Sequence, residues 1–273
     1  MKRFLVALLL GLPVLAPAQD LAITIDDLPV HNDLPPGETR LSVAERMIAA
    51  LKDAQVPEPY GFVNAGPIAE DPALKEVLSA WRSAGFRLGN HTWSHANLDQ
   101  LSATDFEAEI TRNEPALRDS PDWHWFRYPF LAEGSDPAKR AEIRRFLKER
   151  GYRIAAVTMN FNDFLWNAPY ARCMANHDEA GVAELERSYL AAARQAADDA
   201  RRLSPNIAYV LLMHVGALDA RVMPKLLAQY RGQGFHFVTL PEAERTYDDS
   251  VTPPLPPAPA DAEKLARICS TPQ

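Results

Sequence analysis

The sequence predicts an α/β protein, one domain built as a closed or nearly closed β/α barrel. Three observations predict it. Apolar or β-branched runs alternate with segments of helical periodicity about seven times, the order that makes βαβ units and a mostly parallel sheet. The 273 residues suit one large domain, especially an α/β one, as well as two small ones. No Gly-x-Gly-x-x-Gly follows the first apolar run, which argues against an open dinucleotide-binding sheet.

The elements follow in order. "LAITID" (21–26) is apolar and β-branched, as a buried strand should be. After a loop rich in Pro, Gly and Asn, Ser42 and Glu45 have the spacing of a capping box and open a periodic helix over 42–54. "YGFVN" (60–64) reads as a strand. Asp71 and Pro72 read as N-cap and first position of a helix that Gly85 stops. "FRLGN" (86–90) is a third strand, and Ser102 starts the next helix. "WHWFRYP" (123–129) reads as strand then turn, 136–151 as helix, and "YRIAAVTM" (152–159) as strand. "NFNDFLWNAPYARC" (160–173) reads as an aromatic loop. A long amphipathic helix over 178–204 ends near Pro205. "NIAYVLLMH" (206–214) is the most apolar strand. A helix over 219–234 is interrupted or started near Pro224, and "FHFVTL" (235–240) is the last strand.

The ends lie outside this alternation. Lys2 and Arg3 precede the apolar run "FLVALLLGLPVLA", and Ala16 and Ala18 offer an A-x-A site. Residues 1–18 are expected to be a secretory signal peptide rather than an uncleaved anchor, because the run is short and holds Pro13 and Pro17. The barrel is then expected over 19–250. Residues 251–273 form a proline-rich linker and short helix. The mature chain is expected to be exported, periplasmic or secreted, with no stable membrane span. In an oxidising compartment Cys173 and Cys269, the only cysteines, are a candidate disulfide. The formal charge of −7 and the absence of a basic run exclude nucleic acid as a partner.

The unusual polar residues fall where strands end, the place where α/β sheets build their sites. Asp26 and Asp27 end the first strand, and His91 and His95 follow the third. Arg127 ends the fourth, Asn160 and Asp163 follow the fifth, and His214 ends the sixth. Two imidazoles and a carboxylate suit a divalent ion, zinc first, with cobalt or nickel as alternatives. If "HTWSH" is helical, its i, i+4 spacing lets both histidines face one way. Adjacent aspartates alternate faces on an extended strand, so one is expected at the metal and the other at a proton. His31, His124, His177 and His236 have no motif around them and read as structural.

"TIDD" (24–27), "HTWSH" (91–95), "RYPF" (127–130), "NFNDF" (160–164) and "LMH" (212–214) resemble, in order, the five motifs of the polysaccharide deacetylases, carbohydrate esterase family 4. That resemblance runs from about residue 21 to about residue 240 and implies a distorted (β/α)7-type barrel. It implies removal of acetyl groups from an N-acetylated or O-acetylated carbohydrate, by water activated at one divalent ion. By the same resemblance Asp27, His91 and His95 hold the metal, Asp26 is the general base and Arg127 orients it. The Tyr128 backbone N–H stabilises the oxyanion, Asp163 tunes His214, and His214 is the general acid. The chain departs from the family at Leu28 and Leu131, where the family has Gly, at Asn160, where it has Asp, and at Phe164, where it has Trp. Two alternatives stay open: an exported glycan-binding protein without turnover, and a hydrolase of a non-sugar amide.

Overall fold

The computed structural model describes residues 19–247 and 253–270. The signal-peptide reading of residues 1–18 lies outside the described residues, as does the start of the expected linker.

The chain runs through β1 (Gln19–Leu28), α1 (Arg40–Asp53), β2 (Tyr60–Val63), α2 (Gly66–Glu70), α3 (Lys75–Ser83), β3 (Arg87–Asn90) and α4 (Ala103–Asn113). It continues through β4 (Trp125–Phe126), α5 (Pro137–Glu149), β5 (Arg153–Ile154), α6 (Asn167–Ala175) and α7 (Glu179–Leu203). It ends with β6 (Tyr209–His214), α8 (Ala217–Gly232), β7 (Phe235–Phe237), α9 (Leu240–Glu244) and α10 (Ala262–Arg267). Every strand pair is parallel, in the order β5-β4-β3-β2-β1-β6, with β7 beside the first residues of β1. After β5 the chain meets the opposite edge. Met159 bridges Leu211, and Thr158 and Met159 both donate to the Val210 carbonyl. The sheet therefore curls into the expected distorted barrel.

β1 is central because both its faces are covered. Leu21 through Asp26 are all buried, as a parallel strand between two apolar layers must be. Leu21, Ile23 and Ile25 join the large cluster with α1, α7 and α8. Ala22 packs with Phe62, Trp125 and Val210 inside the barrel. Thr24 and Asp26 lie on this inner face too, since side chains alternate.

Several local expectations are corrected. The cap of α1 is Thr39, whose side chain accepts from Ser42 N while Ser42 Oγ accepts from Thr39 N. Ser42 is thus the third helical position of the box rather than its cap, and Glu45 is not part of it. Of residues 160–173, expected as a loop, only 160–162 lack helical structure. Asp163–Trp166 is a 3-10 turn and α6 follows it directly, with Pro169 in the first turn, where a missing N–H costs nothing. Helix α8 is neither started nor interrupted at Pro224; it starts at Ala217 and runs on, held by packing against α1 and α7. The fourth, fifth and seventh strands are shorter than expected.

Cys173 of α6 and Cys269 are disulfide-bonded, with Cα atoms 5.1 Å apart across 96 residues of sequence. The bridge holds the segment carrying α10 against α6. Gly181 leaves the space for it, because a Cβ there would strike both sulfur atoms.

Candidate active site

The site forms at the inner C-terminal rim. Asp26 of β1 and His214 of β6 are register partners, so their side chains emerge side by side on the inner face. The β1–β2 register slips between Ile25 and Leu28, and Asp27 has φ of 65°. This left-handed turn undoes the strict alternation expected of two adjacent aspartates. Asp27 Oδ1 lies 3.5 Å from His91 Nε2, and Asp26 Oδ2 lies 3.8 Å from the same nitrogen. Leu28, at the family's glycine position, is buried and fills the space over Gly61, where a Cβ would strike it.

The "HTWSH" segment is not a helix. Thr92 and His95 both have positive φ, 64° and 58°. A buried amide network holds the segment instead. Asn90 Oδ1 accepts from Thr92 N, Asn64 Nδ2 donates to the Thr92 carbonyl, and Thr92 Oγ1 accepts from Ala96 N. The two imidazoles still converge, with ring centroids 4.9 Å apart. His91 Nδ1 lies 2.7 Å from the Arg127 carbonyl, which can only accept. A neutral His91 therefore carries its proton on Nδ1, with the lone pair of Nε2 facing the site. Burial, aided by the neighbouring His91, pushes the His95 pKa down to about 4, so this ring is neutral at pH 7.

Asp27 Oδ1 is buried, has no hydrogen-bond partner, and lies 3.5 and 3.4 Å from His91 Nε2 and His95 Nε2. Burial favours its neutral form, but the hydrogen bond from His31 and the charge on His214 hold Asp27 well below the usual carboxylate range. An ionised oxygen thus meets an imidazole lone pair in a buried space, which is unfavourable unless a cation joins them. The donor set, two imidazole nitrogens and one carboxylate oxygen, fits a borderline divalent ion.

Arg127 crosses the barrel interior, only 1% exposed. Its Nη1 lies 3.2 and 3.3 Å from the two Asp26 oxygens, Nε donates to the Ala155 carbonyl, and Nη2 donates to Thr24 Oγ1. The guanidinium also covers the Phe62 ring at 4.6 Å. A buried guanidinium held on every side gives Asp26 one orientation. The Tyr128 side chain turns outward into a cluster with Phe106 and Phe126, so only its backbone can serve the rim.

His214 is held by Asp163, which is fully buried. Asp163 Oδ1 lies 2.8 Å from His214 Nδ1, and Oδ2 accepts from His214 N at 2.7 Å. His214 Nδ1 therefore donates to the carboxylate, leaving Nε2 for the site. Burial disfavours the charged ring, but the Asp163 carboxylate outweighs it and His214 is pushed up to about 10. Asn160 bonds to Asn162 rather than to Asp27, His91 or His95. Its Oδ1 accepts from Asn162 N, shaping the left-handed turn that delivers Asp163. Phe164, 36% exposed, sets its ring edge-on to His214 at 5.4 Å. Phe130, 64% exposed, lies 4.4 Å from the His95 ring on the other flank.

Of the residues singled out from the sequence, Asp26, Asp27, His91, His95, Arg127, Asp163 and His214 come together at this rim, Tyr128 turns its side chain away and Asn160 bonds within its own turn, and one residue expected to be structural joins the rim. His31 Nδ1 lies 2.8 Å from Asp27 Oδ2, and its ring stacks on His214 with centroids 4.5 Å apart. Its sequence signal was only its position, four residues after Asp27. Behind the rim, Asp219 accepts from Tyr189 Oη and Asn167 Nδ2, a buried network that no motif marked.

Barrel and rim together bring two imidazoles and a carboxylate within reach of one divalent ion. The sequence model of the family "polysaccharide deacetylase" matches residues 15–155, and the chain belongs to that family, carbohydrate esterase family 4. The match ends before Asp163 and His214, which the fold itself brings in. Among solved structures, the chain resembles the chitin deacetylase of Colletotrichum lindemuthianum at 22% identity and a TM-score of 0.56, over 85% of this chain and 92% of that one. It resembles a family 4 carbohydrate esterase of Streptomyces lividans, in complex with acetate, at 18% identity and a TM-score of 0.53, over 82% and 95%. It also resembles a family 4 pseudoenzyme of Bacillus anthracis at 14% identity and a TM-score of 0.54, over 84% and 66%. The fold is thus shared by enzymes and a pseudoenzyme. Among the described residues no helix is long and apolar enough to cross a membrane.

Proposed function

We propose that the protein is a metal-dependent deacetylase that hydrolyses the acetyl group of an N-acetylated or O-acetylated carbohydrate. The observation that carries this reading is the placement of the orphaned Asp27 oxygen beside His91 and His95, flanked by Asp26 and His214. Asp27, His91 and His95 would hold the ion, zinc by preference and cobalt or nickel as alternatives. A bound divalent ion supplies Lewis acidity toward the acetyl carbonyl and acidifies water at that position.

The chain's own groups do the rest. Asp26, oriented by Arg127, accepts a proton from the attacking water as its oxygen bonds to the acetyl carbon. The Tyr128 backbone N–H donates toward the oxygen that becomes negative. His214, charged through Asp163, gives its Nε2 proton to the leaving nitrogen or oxygen as the bond to the acetyl carbon breaks. Acetate and an amine or alcohol leave, and the proton held by Asp26 restores His214 or goes to solvent.

An acetylated glycan or oligosaccharide is the partner this chemistry serves. Phe130 and Phe164 flank the rim as apolar walls suited to sugar faces. The reading includes cleavage after Ala18, a catalytic domain over 19–250 and export to the periplasm or medium, and the disulfide supports the export, since such bridges belong to oxidising compartments. Acetate release from a panel of acetylated glycans and small acetamides, with and without zinc or cobalt, tests the reading. Metal-dependent release supports it. Tight glycan binding with no release under any metal would favour a binding protein. Release from small acetamides alone would favour a non-sugar amidase.

A further inference from the structure

The structure assigns to His31 a positioning role outside the five motifs: one imidazole that clamps Asp27 with its edge and braces His214 with its face. This rests on the reading of Asp27 as a metal ligand and His214 as the proton donor.

The hydrogen bonds fix its tautomer in steps. Asn32 Nδ2 lies 3.0 Å from the Phe164 carbonyl, which can only accept, so the amide nitrogen stands on that side. The same nitrogen lies 2.8 Å from His31 Nε2, which must then be the acceptor. The proton of a neutral His31 is left on Nδ1, 2.8 Å from Asp27 Oδ2. The two oxygens of Asp27 are thereby divided. Oδ2 is held by His31, and Oδ1 is turned toward His91 and His95. Such a hydrogen bond to the second oxygen keeps the first aimed at its ion.

The face of the ring does separate work. It lies on His214 with planes 25° apart. His214 is already held at Nδ1 by Asp163, and the plate removes the remaining freedom to tilt about that bond. His31 is itself fixed from behind. Arg40 donates to the carbonyls of His31 and Asn32, and the Asn32–Phe164 bond ties this loop to the turn carrying Asp163. Asp27, His31 and His214 are also close enough together to hold a second ion. Both His31 nitrogens are engaged in hydrogen bonds, so the geometry favours a clamp over a ligand.

Two substitutions separate the two actions. His31→Phe keeps a flat ring against His214 and removes the donor to Asp27. Zinc affinity, read by competition with a chromogenic chelator, should fall about 10–100-fold, the usual effect of losing such a partner. His31→Asn places an amide N–H at the reach of Nδ1 and removes the ring face. Zinc affinity should stay near wild type while kcat on an acetamide falls about tenfold, part of what a general acid contributes. Turnover of an aryl acetate, whose leaving group needs no proton, should be spared. Circular dichroism shows that both variants fold. Wild-type zinc affinity in His31→Phe would overturn the clamp, and equal losses on amide and aryl ester in His31→Asn would overturn the brace. Two zinc ions per wild-type chain, one of them lost in His31→Phe, would make His31 a ligand and overturn the inference. A wild-type chain that bound no zinc would remove the metal site itself and the clamp with it.

Discussion

Asp26 of β1 and His214 of β6 stand side by side, joined as register partners of two parallel strands. One is held by Arg127 inside the barrel and the other by Asp163 on its rim. A carboxylate and an imidazole thus share one inner face, each fixed by a buried partner of opposite charge.

The first prediction concerns this pair. Asp26→Asn keeps the shape and should retain bound metal, since Asp27 makes the closest carboxylate approach to both imidazoles. Its kcat should fall about 10²–10⁴-fold, the range for losing a general base. His214→Ala should fall similarly on amides and less on esters with good leaving groups. Wild-type turnover in both variants would falsify the assigned roles even if the metal were confirmed.

The proposed metal site makes a prediction about stability. Zinc at a hundred times its dissociation constant should stabilise the fold by about 2.7 kcal/mol, by mass action on the folded state alone. Thermal melts of the chelated protein with and without added zinc measure this. In His95→Ala the zinc-dependent rise should vanish along with activity, because one of three ligands is gone. An undiminished rise in that variant would place the ion elsewhere.

The pH dependence follows from His214. Its folded pKa is raised to about 10, above the ordinary value of 6.5, because the Asp163 carboxylate outweighs burial. Stability from the charged pair is therefore complete below pH 6.5 and is lost as pH rises through about 10. Activity that needs the charged ring should fall over the same upper limb. Asp163→Asn removes the negative charge but leaves the burial, so the limb should move down by about 1–3 pH units. A kcat profile with an unmoved limb in Asp163→Asn would assign that limb to another group.

The disulfide should stabilise mainly through the unfolded chain. Its ends are 96 residues apart, and closing a loop of that size contributes up to about 4–5 kcal/mol in the entropy model, often less in practice. Urea unfolding of the Cys173→Ser, Cys269→Ser double variant should show the loss as a lower midpoint. The rim does not include α10, so kcat under native conditions should be little changed. Two reactive thiols in protein recovered without reductant from an oxidising compartment would reject the bridge.

Gly216 offers a test of the support behind the rim. A Cβ at this position would strike the buried side chains of Asp219 and Asn167. Those groups bond each other, and Asn167 Oδ1 accepts from Leu218 N, so neither can move freely. Gly216→Ala should cost on the order of 1–3 kcal/mol, as overpacking usually does. A denaturant midpoint equal to wild type would show that the network yields.

Much of this protein could be read along the chain because the information was local or periodic. Alternating apolar runs marked the strands and their order, and turn residues marked most helix ends. Strand termini located Asp26, Asp27, His91, His95, Arg127 and His214 on one rim before any coordinate was known. Asp163 is legible too, although the pattern over 160–173 predicts a loop where the chain forms a 3-10 turn and α6. Local pattern could not show how the histidines converge. The i, i+4 spacing suggested a helix, but the amides of Asn64 and Asn90, distant in sequence from one another, hold the segment in left-handed turns. It could not show that both aspartates reach one site, because the slip between β1 and β2 depends on a neighbouring strand. Nor could it give His31 a role, since stacking on a residue 183 positions away is set only when β1 and β6 pair. Periodicity is written in neighbours along the chain. Register, orphaned oxygens and stacked rings arise from contacts across it, and these were decided only by the curled sheet.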